Sequence, residues 1–515
     1  SLDGLMDDLQ YVATLAGQGE EAKQFKLLFE SVVGEEGLEG VSTKKPIGLY
    51  GTLDADIEKS QVVLMLPLAD EKAFLATLKR FEFEPKKGQN GIYSFFPEGS
   101  PVEIFFTFAD DYVYATVGSE KAIEKKNRRN PKSFLKAEEI GTAQVSLNLA
   151  DIPDEYRDLI SGQVALIVAD QSEKKEGEKD IEHKVRKEVL ENLAKHFEVF
   201  LEGAGTLNLK LNIDQKKEKI SLNFDLGAKA KSELETVFKD MGSVQSFVAG
   251  IIGDSSVISA AFRADLPKWV SSLAQQFFGM FKAEAMKNAE NEIMEKYFKK
   301  AFQALTPASK MKEIDLAFSI NGPNKAGLYT AIAGARVNGA KGIEKVIREV
   351  MKEQNFLPGE VKALLTVDYA SVGDVKIHRI NLGNQIDAET QKVLGKSDIY
   401  VAFKKNSIFV AMGADAVDTL KKAVKCKPVT ATFAQLNVSI AKLAPVLEGQ
   451  RKGAAKAAEE IFGKEPKGDK ISVTLKGGSK LEGSINVDAR LIKFFAALEK
   501  LTNNDKGEGA IIGIE

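Results

Sequence analysis

The chain has 515 residues, 44% of them apolar and 28% charged, with a formal net charge of −3. Its interspersed charges make no basic footprint for nucleic acid, and no apolar run reaches the roughly 18 residues that a membrane-spanning helix requires. A single cysteine, Cys426, excludes an intrachain disulfide, and a chain this long calls for more than one packed unit.

In chain order, residues 1–83 predict helices, two alternating strands (Ile47–Asp54 and Gln61–Leu68) and a helix from Asp70. A strand-rich connector follows, ending in Val102–Gly118 and a short helix over Glu120–Lys126. From Thr142 a strand runs to Ala150, Asp151-Ile152-Pro153 turns the chain, and helical segments extend to Glu202. The polar stretch Asp170–Lys187 is expected as an exposed loop running into a charged helix. Leu207, Leu209, Leu211 and Ile213 alternate in one strand, Ile220, Leu222, Phe224 and Leu226 in the next, and a helix over Lys229–Asp240 closes the unit.

The second half repeats this order. A strand Val257–Ala264 and an Ala-Asp-Leu-Pro turn lead into a helical stretch, Lys268–Leu305, with a predicted break at Gly279. Strands Glu313–Ile320 and Gly327–Arg336 are joined by Asn321-Gly322-Pro323-Asn324, and a helix over Ala340–Glu353 follows. A second connector ends in Ser397–Gly413 and a helix over Asp415–Val424. The last unit runs from Thr430 to Leu501, with strands Lys470–Lys476 and Lys480–Asp488.

The two connectors align without a gap at an offset of 295, pairing Ile104 with Ile399, Phe108 with Phe403 and Gly118 with Gly413. A strand–turn–helix signature occurs three times, from Ala143, Val257 and Phe433. Repeats of this kind decide the fold before any other feature. The fold class that follows is α+β with mainly antiparallel sheets, internally duplicated. Its two similar halves, 1–241 and 242–515, each hold two helix-β-β-helix units joined by a strand-rich connector. If the units are homologous, Asp151 and Asp265 are expected as helix N-caps, with Pro153 and Pro267 just inside their helices.

Candidate chemistry is sparse. His183, His196 and His378 are the three histidines. The first two, 13 apart, would point about 220° apart on one helix and cannot share a metal. All three are expected at the surface. No zinc, metalloprotease or c-haem spacing occurs, and no histidine lies near Cys426 in sequence. Gly334–Gly342 departs from a phosphate loop by one residue and lacks the hydroxyl after Lys341. Asp54, Asp56 and Glu58 form a polar hairpin tip without the glycine and distal glutamate of a calcium loop. No catalytic residue, cofactor or metal is therefore expected. One segment has distinct surface chemistry: Trp269, Leu273, Phe277, Met280, Phe281 and Ile293 fall on one helical stripe. It is either core packed on the adjacent sheet or a hydrophobic groove, centred on Trp269, Leu273, Phe277 and Phe281, for a lipid or a partner helix.

The segment from Gly37 through Lys45-Pro46-Ile47-Gly48, followed by Val62–Asp70 with its Pro67-Leu68-Ala69-Asp70 ending, resembles a pattern in large exported proteins of planctomycete-type bacteria. That resemblance implies an extracytoplasmic address and no assigned chemistry. Low cysteine usage suits export, and Ser1 reads either as an artificial start or as a mature terminus left by signal-peptide removal. The combined expectation is a non-enzymatic periplasmic or extracellular scaffold or binding protein, with a protein partner or hydrophobic ligand. The alternatives are a carrier of lipid in an apolar groove between long helices and curved sheets, and an unidentified hydrolase.

Overall fold

The computed structural model describes residues 1–24, 39–88, 90–135, 141–242, 244–253, 255–353, 359–383, 386–395, 398–464 and 466–505. Gly37 and Leu38 of the resemblance and Ser397 of the repeat lie outside them. The fold is α+β with antiparallel strand pairing, and the chain divides into two compact units. The first holds Ser1–Asp170, Ala204–Phe224 and Ile492–Ala497; the second holds Gln171–Gly203, Asp225–Leu491 and Leu498–Glu515.

In the first unit six strands make an antiparallel sheet in the order β1-β2-β6-β5-β4-β3. They are β1 (Gly48–Thr52), β2 (Gln61–Pro67), β3 (Lys86–Lys87), β4 (Tyr93–Phe95), β5 (Ile104–Ala109) and β6 (Tyr112–Val117). Helix Glu71–Arg80, capped by Asp70 accepting the Ala73 N–H at 2.8 Å, lays Phe74 on one face. There Phe74, Phe106 and Phe108 meet edge-on and Tyr93 stacks on Phe106, a preferred aromatic geometry. Val63, Met65, Tyr112 and Tyr114 fill the other face with Ala122 and Ile123, so this sheet is covered on both sides. The short helix expected over Glu120–Lys126 is a 3₁₀ turn, Glu120–Ile123. Strand β7 (Ala143–Asn148) pairs antiparallel with β8 (Ala204–Asp214). Strand β9 (Lys219–Ala228) follows β8 in the chain, and helix Asp154–Gln171 follows β7.

The second unit is built on an antiparallel ladder in the order β14-β15-β16-β17-β13-β12-β11-β19-β20-β21. The strands are β11 (Ser256–Asp265), β12 (Glu313–Asn321), β13 (Thr330–Arg336), β14 (Leu365–Val372), β15 (Val375–Asn381), β16 (Asp398–Lys404), β17 (Ser407–Gly413), β19 (Ala434–Ser439), β20 (Lys470–Lys476) and β21 (Lys480–Asp488). Two further short strands, β10 (Val244–Ser246) and β18 (Val429–Ala431), pair with each other. Helix Ala416–Lys425 sets Ala416, Leu420, Ala423 and Val424 against Ala402, Phe409 and Ala411 of the ladder; alanines on both surfaces let backbone and sheet approach closely.

The hairpins β5-β6 and β16-β17 share one register. Ile104 faces Val117 and Phe108 faces Val113, while Ile399 faces Met412 and Phe403 faces Ile408. Each pair moves onto the other by the same shift along the chain, and a glycine of positive φ stands at the close of each hairpin, Gly118 at +80° directly after β6 and Gly413 at +114° as the last residue of β17. A smaller echo occurs where Asn223 Nδ2 donates to Ser221 Oγ and Asn486 Nδ2 donates to Ser484 Oγ.

Four local expectations need correction. The long helical stretch does not break at Gly279, where nothing crowds the backbone; it ends at Lys287 and restarts at Glu292. Asn288 caps the first helix at its C-terminus, and Asn291 accepts the Met294 N–H at 2.9 Å to start the second, a strong N-cap signal. The helix expected over Lys229–Asp240 begins only at Glu233, because Lys231 sits at φ +64° and Ser232 caps it. Asp151 is no N-cap: it lies in the 3₁₀ turn Leu149–Asp151, accepts from Asn148 Nδ2, and its helix starts at Asp154. Asp265 is none either. Its carboxylate is drawn back to Arg263, and Pro267 itself takes the cap position with no side-chain bond.

Candidate functional site

Helix Lys268–Lys287 carries the predicted stripe, but the stripe is not uniformly buried. Leu273 is buried at 9% exposure, whereas Phe277 is 43% and Phe281 67% exposed. Trp269 is half-buried, and its Nε1 donates to His196 Nε2 at 3.0 Å. Ile293 does not belong to this stripe, since it lies on helix Glu292–Ser309 beyond the break. That second helix supplies Phe302, buried, which meets Phe278 and Phe281 edge-on at 5.6 and 6.0 Å. The pair thus buries one side of its aromatic layer and leaves Phe277 and most of Phe281 in water. Single exposed apolar residues are ordinary; here two phenylalanines one turn apart on one helix face are exposed together.

An open hollow of about 830 Å³ lies beside the same helix, lined by Lys268, Ser271, Ser272, Gln275 and Gln276, spaced to share one helix face, by Asp265 and Glu313 from the strands, and by Leu266 and Lys312 next to those strands. It does not include Trp269, Leu273, Phe277 or Phe281. Behind it the β11–β12 register sets Asp265 opposite Glu313 and Arg263 opposite Asp315. Arg263 occupies an inward position of β11 at 7% exposure, and its guanidinium donates to Asp265, the Ala264 carbonyl and Glu313. Glu313 also pairs with Arg336 at 2.6 Å, whose guanidinium lies 4.0 Å over the Phe247 ring. Asp315, fully buried, accepts from Ser246 Oγ and the Phe247 N–H. Arg263 and Arg336 are thus met by the carboxylates of Asp265 and Glu313, and Asp315 by a hydroxyl and a backbone N–H, while Arg263 Nε is buried without a partner among the described residues.

His378 corrects the expectation of three surface histidines. It is 2% exposed, because β15 has a neighbouring strand on each edge and helix Ala340–Lys352 brings Glu344 onto it. The Asp368 N–H donates to Nδ1 at 3.2 Å, which places the ring proton on Nε2, 3.2 Å from Glu344 Oε1. Asp368 holds a left-handed φ of +58° at an irregularity in β14, and its carboxylate grips Arg348. Glu344, 5% exposed, takes Lys341 at 2.9 Å and Arg348 at 3.1 Å as well. Burial opposes its charge, but the hydrogen bonds from Lys341 and Arg348 prevail and hold its carboxyl below the usual range. Burial pushes the His378 pKa down, with the Glu344 hydrogen bond acting against it. Both ring nitrogens are engaged and no solvent reaches them, so the ring has no free lone pair for proton transfer. The arrangement locks helix to sheet.

Of the remaining sequence candidates, His196 is exposed and His183 is half-buried with Nε2 2.8 Å from the Ser172 carbonyl. Asp54 and Asp56 spend their carboxylates on the backbone N–H groups of Asp56 and Glu58, within the hairpin tip. Among the described residues, no group of three or more His, Cys, Asp or Glu is placed to hold a metal ion, and no helix is long and apolar enough to cross a membrane. The Cys426 thiol is pushed up by burial and its Sγ lies 3.0 Å from the Gly250 carbonyl. The Glu344–His378 pair was missed from sequence; its one signal is a histidine directly after Ile377 within the strand Val375-Lys-Ile-His-Arg-Ile. No family model matches the chain, and no curated protein or solved structure matches it either.

Proposed function

We propose that this protein is a non-enzymatic, extracytoplasmic scaffold that holds a protein partner on the apolar face of helix Lys268–Lys287. One observation carries the reading: Phe277 and Phe281, on one stripe with the buried Leu273, remain 43% and 67% exposed. A stripe that served the core alone would bury its whole length. Aromatic side chains flanked by polar ones are the usual anchors of protein interfaces. The patch and the hollow beside it are both open to solvent, which favours a partner surface over an enclosed lipid site. The extracytoplasmic address is supported by the resemblance at 37–70 and by one cysteine in 515 residues.

The two halves arose, on this reading, from a duplication that supplied the scaffold. The common register of β5-β6 and β16-β17 supports it. So does the strand-to-helix order shared by residues 143–171 and 256–287.

The test replaces Phe281 with a photo-crosslinking benzophenone amino acid in the native host, followed by cell fractionation. A discrete protein adduct in the extracytoplasmic fraction, lost on adding Phe277→Asp, is the expected result. Lipid adducts would transfer the site to the carrier reading, and no adduct at all would overturn both.

A further inference from the structure

The first unit contains a second surface that the binding role above does not use. Strand β7 pairs with β8 along one edge, Ala143 opposite Leu211 through Asn148 opposite Thr206. Its other edge pairs with no strand among the described residues, and all six of its residues are exposed, Val145 at 50% and Leu147 at 46%. The helix that follows, Asp154–Gln171, buries none of its residues. Leu159 is 58%, Ile160 37%, Leu166 73% and Ile167 62% exposed. Leu159 and Leu166, and Ile160 and Ile167, are seven apart and so share one stripe. Arg157 ties this helix to the end of the strand by donating to the Leu149 and Ala150 carbonyls at 3.2 and 2.7 Å.

Natural edge strands are protected by charge, proline or a cover. The β7 sequence, Ala-Gln-Val-Ser-Leu-Asn, has neither charge nor proline. Its faces are also separated, with Ala143, Val145 and Leu147 on one and Gln144, Ser146 and Asn148 on the other. We propose that two copies of the chain associate through β7, paired antiparallel across a two-fold axis near Val145 and Ser146, with the Asp154–Gln171 stripes covered in the same interface. An axis through Val145 sets Ala143 against Leu147 and Gln144 against Ser146. An axis through Ser146 sets Val145 against Leu147. In either register apolar meets apolar, polar meets polar, and no like charges face each other. That self-complementarity is what an isologous interface demands.

The area is adequate. Val145, Leu147, Leu159, Ile160, Leu166 and Ile167 together expose on the order of 600 Å² of surface. With the strand edge added, this approaches the roughly 800 Å² per partner of a standard interface. A foreign strand could take the same edge, but only a second copy brings both the matched strand and the matched helix stripe.

The experiment measures the mass of the full chain by sedimentation over a concentration series. The wild type is expected to dimerise. Val145→Lys sets two lysines opposite or diagonal to each other at the axis and should raise the dimer dissociation constant about tenfold or more. Val145→Glu should do the same, and mixing the two variants should restore a heterodimer visible by native mass spectrometry. Val145 is half-exposed, so folding should survive, which circular dichroism checks; Leu166→Glu on the helix provides an independent weakening variant. A wild type that stays monomeric throughout overturns the proposal. So does a dimer unmoved by Val145→Lys and Leu166→Glu, or a mixture of Lys and Glu variants that fails to pair.

Discussion

Replacing Glu344 with leucine isolates what the buried network contributes. The carboxylate accepts from three donors, and the structure says what becomes of each. Lys341 is 40% exposed and can return to water, while Arg348 retains Asp368 as a partner. His378, 2% exposed, loses the acceptor that the described residues give its Nε2 proton. Leaving that donor buried and unpaired costs about 1–3 kcal/mol. Losing the Glu344 side of the Arg348 bridge brings the sum to about 2–4 kcal/mol, near the lower range for breaking a buried pair. Adding His378→Leu removes the orphaned donor, so the double variant should be less destabilised than the sum of the two single ones. Urea unfolding, together with amide exchange of β15, provides the measurement. A Glu344→Leu cost below about 0.5 kcal/mol, or strictly additive single and double variants, would show that the network is not coupled as the geometry requires.

The same network sets an acid response. The folded His378 pKa is depressed by burial, below the roughly 6.5 of an unfolded histidine. Its contribution is therefore complete above that unfolded value and is lost as pH falls through the folded pKa. Urea midpoints should decline with acid in that window, and His378→Leu should flatten the decline. Asp70→Ala should cost about 1 kcal/mol, because Asp70 caps helix Glu71–Arg80. Asp265→Ala, which removes only an ion pair from a largely exposed carboxylate, should cost under about 0.5 kcal/mol; the reverse ranking by thermal unfolding would refute the cap assignments. Gly40→Ala should cost at least about 2 kcal/mol, since φ is +86° and a Cβ would stand 2.6 Å from Phe74 Cα and 2.7 Å from the Asp70 carbonyl. Normal stability of that variant would mean the close approach of Gly40 to this helix is wrong.

What was legible in the sequence follows the range of the forces involved. Strands β20 and β21 match their predicted bounds to the residue, because strict alternation between glycine-bearing turns is a local signal. Gly279 misled because glycine is a weak breaker inside a helix whose flanks hold it, while the true break has a capping asparagine at Asn291 that sequence could have used. Asp265 misled for a different reason. As an N-cap it would have turned to the helix, but Arg263, 7% exposed on the inward side of β11, needs compensating carboxylates. Asp265 therefore answers the guanidinium two residues back and not the helix, and nothing within the local Ala-Asp-Leu-Pro motif announces that Arg263 is buried.

The candidate binding surface shows the same division more sharply. Periodicity identifies Leu273, Phe277 and Phe281 as sharing one helix face, since positions four apart always do. It is indifferent to what covers that face. Cover comes from helix Glu292–Ser309, whose Phe302 reaches Phe278 and the near edge of Phe281. Leu273 is buried while Phe277 stays 43% exposed. Packing thus splits one stripe into a buried part and an exposed part. The exposed part is large and aromatic, and its rings, 43% and 67% exposed, forgo part of the roughly 1.5–3 kcal/mol that full burial of such a side chain gives. A chain that leaves such rings uncovered, after burying Leu273 on the same helix, has not run out of ways to bury them. On the reading proposed above, those rings are kept for contact with another molecule.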